Sequence, residues 1–300
     1  MIDFQPLSLE QKPKFDQILQ NATARGCEYS FANLFIWGRQ RAAFLGDTLM
    51  MFSQFNRTSV YPFPVGDRVE EALEAIIHDA KVRDIPCRIT SLSQEECEKL
   101  ERLYPGKFRF HFDRDFFDYV YDINDLADLK GKKYQKKRNH LNRYLQAHPD
   151  YRVEPITPEN EAVVMELAMA WYDKKQADDP TADTHMEKAA FKKAITNRQA
   201  LGMEGLLLYD EGKPIAMTMG NFLRQDTFDV NFEKAIDPTA YPVINWEFAR
   251  YLRQKYPDLQ YLDREEDMGI EGLRKAKLSY YPHHMVEKHW ACLLEDGYDY

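Results

Sequence analysis

The chain has 300 residues, 44% of them apolar and 30% charged, with a net charge of −9. That is enough apolar material for one large core or two ordinary ones. The charge is spread along the chain without a low-complexity or Pro/Gly/Ser-rich stretch, which argues against long disordered regions, and the acidic balance argues against coating nucleic acid with the whole surface while leaving room for a local basic patch.

The N-terminus lacks a basic segment followed by an apolar one, and no apolar run nears the roughly 18–20 residues of a membrane span. A cytoplasmic protein with no transmembrane segment is expected. Cys27, Cys87, Cys97 and Cys292 show no CxxC spacing and no local histidine partner. Buried thiols in a reducing compartment are therefore expected, with no disulfide framework and no metal.

Hydrophobic period and punctuation predict helices over residues 9–20 and 30–39, the second capped by Ser30, then strands over 42–45, 49–52 and 59–61. A helix follows Gly66–Asp67, then a strand over 87–90, a helix over 94–103 capped by Ser93, and a strand over 108–112. The second half repeats this order: a strand at 151–155, helices at 158–175 and 186–199, strands at 204–209, 214–222 and 227–233, a helix at 242–256, a strand at 259–264, a short helix at 270–278 and a strand at 285–293. The order is that of the GCN5-related N-acetyltransferase (GNAT) fold, present twice, and predicts an α/β (α+β) chain of two lobes, 1–125 and 126–300. A single α/β sheet with insertions is the other topology it allows.

Between the lobes, residues 129–149 contain no acid but carry Lys130, Lys132, Lys133, Lys136, Lys137, Arg138 and Arg143. On a helix over 130–146, Tyr134, Leu141 and Leu145 form one stripe, flanked by Lys137 and Arg138. Those two cations are expected to turn inward, where they can hold a phosphate or carboxylate. The others, over 130–143, either meet a polyanion such as tRNA through phosphate charge or form a solvated face.

In 227–233, Phe228, Val230 and Phe232 alternate with Asp229, Asn231 and Glu233. A mid-sheet strand covered on both faces is ordinarily apolar throughout, so three polar side chains predict a wet cavity. The next strand is acidic at its C-terminal end, with Asp263, Glu265 and Asp267, and ligands of open α/β sheets bind at that end. Clustered carboxylates suit an ammonium ligand or a base acting on an attacking amine. Arg274, Lys275 and Lys277 add anion-binding groups, and the same mixture also fits an ion-pair network with Arg264.

Two segments, Lys130-Gly-Lys-Lys-Tyr-Gln-Lys-Lys-Arg-Asn-His-Leu-Asn-Arg-Tyr144 and residues 263–282, resemble the bacterial uncharacterised family grouped with the C-terminal catalytic domain of phosphatidylglycerol lysyltransferases. Residues 30–37 and 232–234 carry the same resemblance, which runs over most of the chain. It implies a tandem GNAT-like fold related to the peptidoglycan-bridge aminoacyltransferases, which move an amino acid from aminoacyl-tRNA onto a lipid or peptide. The large membrane domain of lysyltransferase proper has no counterpart in this sequence.

The glycine-bearing turn on which GNAT proteins bind the pyrophosphate of acetyl-CoA is also missing. Residues 234–242 contain no glycine, and Pro238 and Pro242 remove two N–H donors. The first lobe's counterpart, residues 57–66, shows no such turn either, and that lobe is expected to be non-catalytic.

The expected activity is acyl or aminoacyl transfer to an amine or hydroxyl, with aminoacyl-tRNA or acyl-CoA as donor. Glu233, Asp263 and Asp229 are the candidate base or ammonium anchors. Lys137, Arg138, Asn231, Glu265, Asp267, Arg274, Lys277 and Tyr280 are the candidate substrate-binding residues. Two other readings stay open: an acetyl-CoA-dependent N-acetyltransferase with a non-standard cofactor turn, and a non-catalytic protein that binds RNA or an anionic ligand.

Overall fold

The computed structural model describes residues 1–294 except 21, 23, 24, 56, 57 and 182. Its fourteen described strands form two seven-stranded mixed sheets. The first takes β1 (Gln5–Pro6), β2 (Gln40–Leu45), β3 (Thr48–Phe55), β4 (Thr58–Pro62), β5 (Arg88–Leu92) and β6 (Phe108–Phe112), with β14 (His289–Leu293) between β5 and β6. The second contains β7 (Asp118–Asp122), β8 (Arg152–Pro155), β9 (Glu204–Asp210), β10 (Lys213–Arg224), β11 (Thr227–Ala235), β12 (Tyr261–Asp263) and β13 (His284–Val286), in the order β13-β7-β12-β11-β10-β9-β8.

Two compact units follow, and no single cut at 125/126 separates them. One comprises Met1–Asp118, Glu266–Ile270 and the residues from Met285 onward; the other comprises Tyr119–Glu265 and Glu271–His284. The strand expected over 285–293 is two strands in two sheets, because β14 adds to β5 and β6 rather than closing the second repeat. Residues 118–122, where no element is predicted, form β7, which pairs with β12.

Local chemistry sets most element ends. Ser30 caps helix Phe31–Trp37 by accepting from Asn33 N–H, and Gly38 closes it at a φ of 62°. Ser93 and Glu96 form a reciprocal capping box at helix Gln94–Leu103. The helix expected from residue 158 starts later, at Glu161, because Thr157 and Asn160 bond each other and hold Pro158 in a turn. The strand expected over 259–264 pairs only over Tyr261–Asp263. No described helix is long and apolar enough to cross a membrane.

In the second unit the register of β10 on β11 slips between Met219 and Asn221. Gly220 permits the slip: a Cβ there would lie 1.8 Å from the Asp229 carbonyl oxygen, inside any van der Waals contact.

Candidate active site

β11 runs parallel to β12 for three paired positions, ending at Asp229 opposite Asp263. Beyond them β11 continues to Ala235 on β10 alone, so the parallel pair opens where the polar residues lie. Phe228 packs on Phe222 and Phe248, and Phe232 on Phe191, which anchors the apolar alternation in aromatic contacts.

The other alternation builds a buried polar tract. Asp229 and Asp263 are both fully buried. The Asn231 amide donates to Asp229 at 2.9 Å and to Glu265 at 3.3 Å, and Asp263 accepts the Glu265 N–H at 2.8 Å. Asn231 Oδ1 and Thr218 Oγ1 are buried without a hydrogen-bond partner among the described residues. Thr218 pairs with Glu233 across β10 and β11, which puts their side chains on the same face.

A second cluster adjoins it through Glu233. Arg264 donates to Glu233 at 2.9 Å, and its guanidinium lies 5.6 Å from the Tyr280 ring centre and 6.0 Å from that of Tyr121. Lys137 Nζ lies 3.7 Å from the Tyr280 ring centre. Burial and the Arg264 charge hold the Lys137 amine down at about 8. Burial opposes the Arg264 charge, but Glu233 beside it leaves that guanidinium above its ordinary range. Burial, opposed by Arg264 and reinforced by Glu233, pushes the Tyr280 phenol up to about 12.

Lys277, expected to bind an anion, is a backbone clamp. Its ammonium donates to the Arg264 and Glu265 carbonyls, at 2.5 and 3.0 Å, while its own carbonyl accepts from Tyr121. Glu265 sits at a φ of 56°, uncommon for a non-glycine residue. The clamp and the Asp263 cap on Glu265 N–H hold that conformation and aim Arg264 and Glu265 at β11.

Other expected residues lie elsewhere. Asp267 turns with Glu266–Ile270 into the first unit, where it accepts from Arg114 at 3.4 Å and from Gly269 N–H. Arg138 turns inward but donates to the Leu129 and Gly131 carbonyls. Arg274 is half-buried on helix Glu271–Leu278. In the basic segment, helix Gln135–Ala147 buries Leu141 and Tyr144 and exposes Lys136 and Arg143, while Lys130 and Lys133 pair with Asp128 and Asp125.

Sequence reading ranked Arg264 as an ion-pair partner only. It lies one residue past the end of β12, where period-two alternation no longer tells direction.

In the turn after β11, Asp237 accepts the Thr239 N–H at 2.8 Å, and Pro238 opens a short 3₁₀ turn into helix Tyr241–Lys255.

The first unit holds a buried charged cluster that sequence spacing could not show. Lys288 Nζ lies 2.8 Å from both Asp118 and Glu28 and 3.5 Å from Cys27 Sγ. Cys27 Sγ and the Asp118 and Glu266 carboxylates lie within 4.8 Å of one another, a set able to ligate a metal. The Lys288 ammonium supplies the positive charge that such an ion would bring. Burial, only partly offset by Lys288, pushes the Asp118 carboxyl up to about 7. All four cysteines are buried and none is in a disulfide.

Comparison with known proteins places these features in context. The family model described as phosphatidylglycerol lysyltransferase, C-terminal, matches residues 20–292. A conserved protein of unknown function from Bacteroides thetaiotaomicron VPI-5482 is 37% identical, with a TM-score of 0.91 over 98% of this chain and 100% of that one. L-PGS from Bacillus licheniformis superposes with a TM-score of 0.68 at 15% identity, covering 98% of this chain and 94% of that one, a likeness of fold. An uncharacterized protein of Mycoplasmoides gallisepticum is 24% identical over 177 residues, which are 57% of this chain and 54% of that protein. The chain therefore spans about half the length of that curated relative. The architecture is a tandem pair of GNAT-like units.

Proposed function

Since the chain belongs to the phosphatidylglycerol lysyltransferase C-terminal family, we propose that its second unit transfers an aminoacyl group from aminoacyl-tRNA to an amine or hydroxyl acceptor. The observation that carries this reading is the buried polar tract at the opening of β11 from β12, with two carboxylates in register and two buried polar atoms lacking partners on the face of β11 and β10. Buried polar atoms are ordinarily satisfied, so such a surface is built for a polar ligand.

Asp229, Asp263 and Glu265 form the anionic wall that holds the ammonium of an aminoacyl group. Glu233 lies toward the open end and takes the proton from the attacking amine or hydroxyl. Arg264, which donates to Glu233, and Lys137, which lies against the same Tyr280 ring, hold a phosphate-bearing partner. With the reactants held so, positioning and fixed charge can supply much of the rate without a nucleophilic side chain. Acetyl-CoA is disfavoured as donor by the Asp237-capped, glycine-free turn, and no step is assigned to it.

The test is transfer from labelled aminoacyl-tRNA to small amine and hydroxyl acceptors. Glu233→Gln and Asp263→Asn are expected to lower the rate by about 10²–10³-fold while leaving thermal stability within about 2 kcal/mol. Unchanged rates in both variants would overturn the assignment. Stabilisation by CoA but not by charged tRNA would move it to acetyl transfer.

A further inference from the structure

In the first unit a cavity of about 260 Å³ opens between the segment that follows β4 and helix Gln94–Leu103. Phe63, Val65 and Val69 form its apolar floor, and one side of the helix, with Glu95, Glu96, Lys99 and Arg102, forms a charged wall. The order of residues makes that wall dipolar, because both acids stand in the first turn of the helix and the cations follow about one and two turns further on. Glu96 is taken up by the helix cap, where it accepts the Ser93 N–H at 2.7 Å. Glu95, Lys99 and Arg102 make no hydrogen bond or ion pair among the described residues. Glu95 and Lys99 have the four-residue spacing that ordinarily closes into a pair on a helix surface, yet both line the cavity without pairing. Ligand sites combine an apolar lining with a few polar groups that fix orientation, and the small volume of this one restricts it to a small molecule.

We propose that this cavity binds a free apolar α-amino acid, with its side chain on Phe63, Val65 and Val69, its carboxylate on Lys99 and Arg102, and its ammonium on Glu95. A simple anion would meet the like charge of Glu95, and a simple cation would meet Lys99 and Arg102, whereas a zwitterion finds opposite charge at both of its ends. A guanidinium and an ammonium together hold a carboxylate through charge-assisted hydrogen bonds. The floor then selects among amino acids by side chain, since a polar one would lose water there and gain no partner. The cavity lies wholly within the first unit and is independent of the reaction assigned to the second.

Fluorine-detected titrations of the full chain with para-fluoro-L-phenylalanine, para-fluorophenethylamine and para-fluorophenylpropionate test this, because the three probes share a ring and differ in charge. The amino acid is expected to bind about tenfold more tightly than either singly charged probe, the effect of one charge-assisted hydrogen bond. Lys99→Gln combined with Arg102→Gln is expected to weaken the amino acid and the propionate about tenfold and to leave the amine no weaker. Glu95→Gln is expected to do the reverse, weakening the amino acid and the amine while leaving the propionate no weaker. Equal affinity for the three probes, absence of saturable amino-acid binding to the unmutated chain, or affinities unchanged in both variants would overturn the proposal.

Discussion

A parallel strand pair occurs in each unit, β4 with β5 in the first and β11 with β12 in the second, and the two openings are finished differently. In the first, pairing ends at Pro62 opposite Thr90, and the chain closes the gap itself. Phe63 N–H donates to Thr90, and the buried Tyr29 hydroxyl donates to the Ser91 carbonyl at 3.1 Å with the Phe63 carbonyl 3.4 Å away. In the second, the corresponding faces carry Asp229, Asn231 and Glu233. One topology therefore accommodates an opening spanned by an aromatic hydroxyl and backbone bonds or one lined by a buried polar tract, and the side chains at three alternating positions decide which.

The sharpest way to break the second opening is Gly220→Ala. Its Cβ would meet the Asp229 carbonyl in the backbone itself, so the register slip that shapes β11 cannot persist. A loss of about 3–5 kcal/mol or failure to fold is expected, measured by urea unfolding. A loss under about 1 kcal/mol would show that the slip does not depend on glycine.

A smaller effect concerns how the first unit holds its buried acid. Burial raises the Asp118 carboxyl to about 7 in the folded protein, above its unfolded value near 4, so the native state binds more protons between those pH values. This group's contribution to stability therefore falls as pH rises from about 4 to about 7. Asp118→Asn is expected to flatten that part of the stability–pH curve, while Lys288 keeps its ion pair with Glu28. A slope equal to that of the unmutated protein would exclude Asp118 as its source.

The smallest expected effect lies at the first opening. Tyr29→Phe keeps the ring that fills it and removes one hydrogen bond, at a cost of about 1 kcal/mol measured by thermal or urea unfolding. It is expected to leave transfer by the second unit unchanged. A tenfold fall in that activity would mean that the first opening takes part in transfer.

Much of this was legible in the chain. The alternation of Asp229, Asn231 and Glu233 inside a strand expected to be buried pointed to the buried polar tract, and the stripe of Tyr134, Leu141 and Leu145 correctly set Lys137 inward of Lys136 and Arg143. Helix caps at Ser30 and Ser93 were readable because their partners lie three residues away. Arg138 and Lys277 also donate to backbone carbonyls, which neither charge nor spacing reveals.

Period, caps and composition by themselves determined the two-unit α/β order, the polar strand and the inward-facing stretch of the basic helix, because those signals act over a few residues. Only the tertiary structure decided that β14 joins the first sheet, that Asp267 leaves the site, that Arg264 reaches Glu233, and that Lys288 meets Asp118 and Cys27 from 170 and 261 positions away. Such contacts are chosen by which surfaces pack together once the sheets have formed, and no local period encodes them.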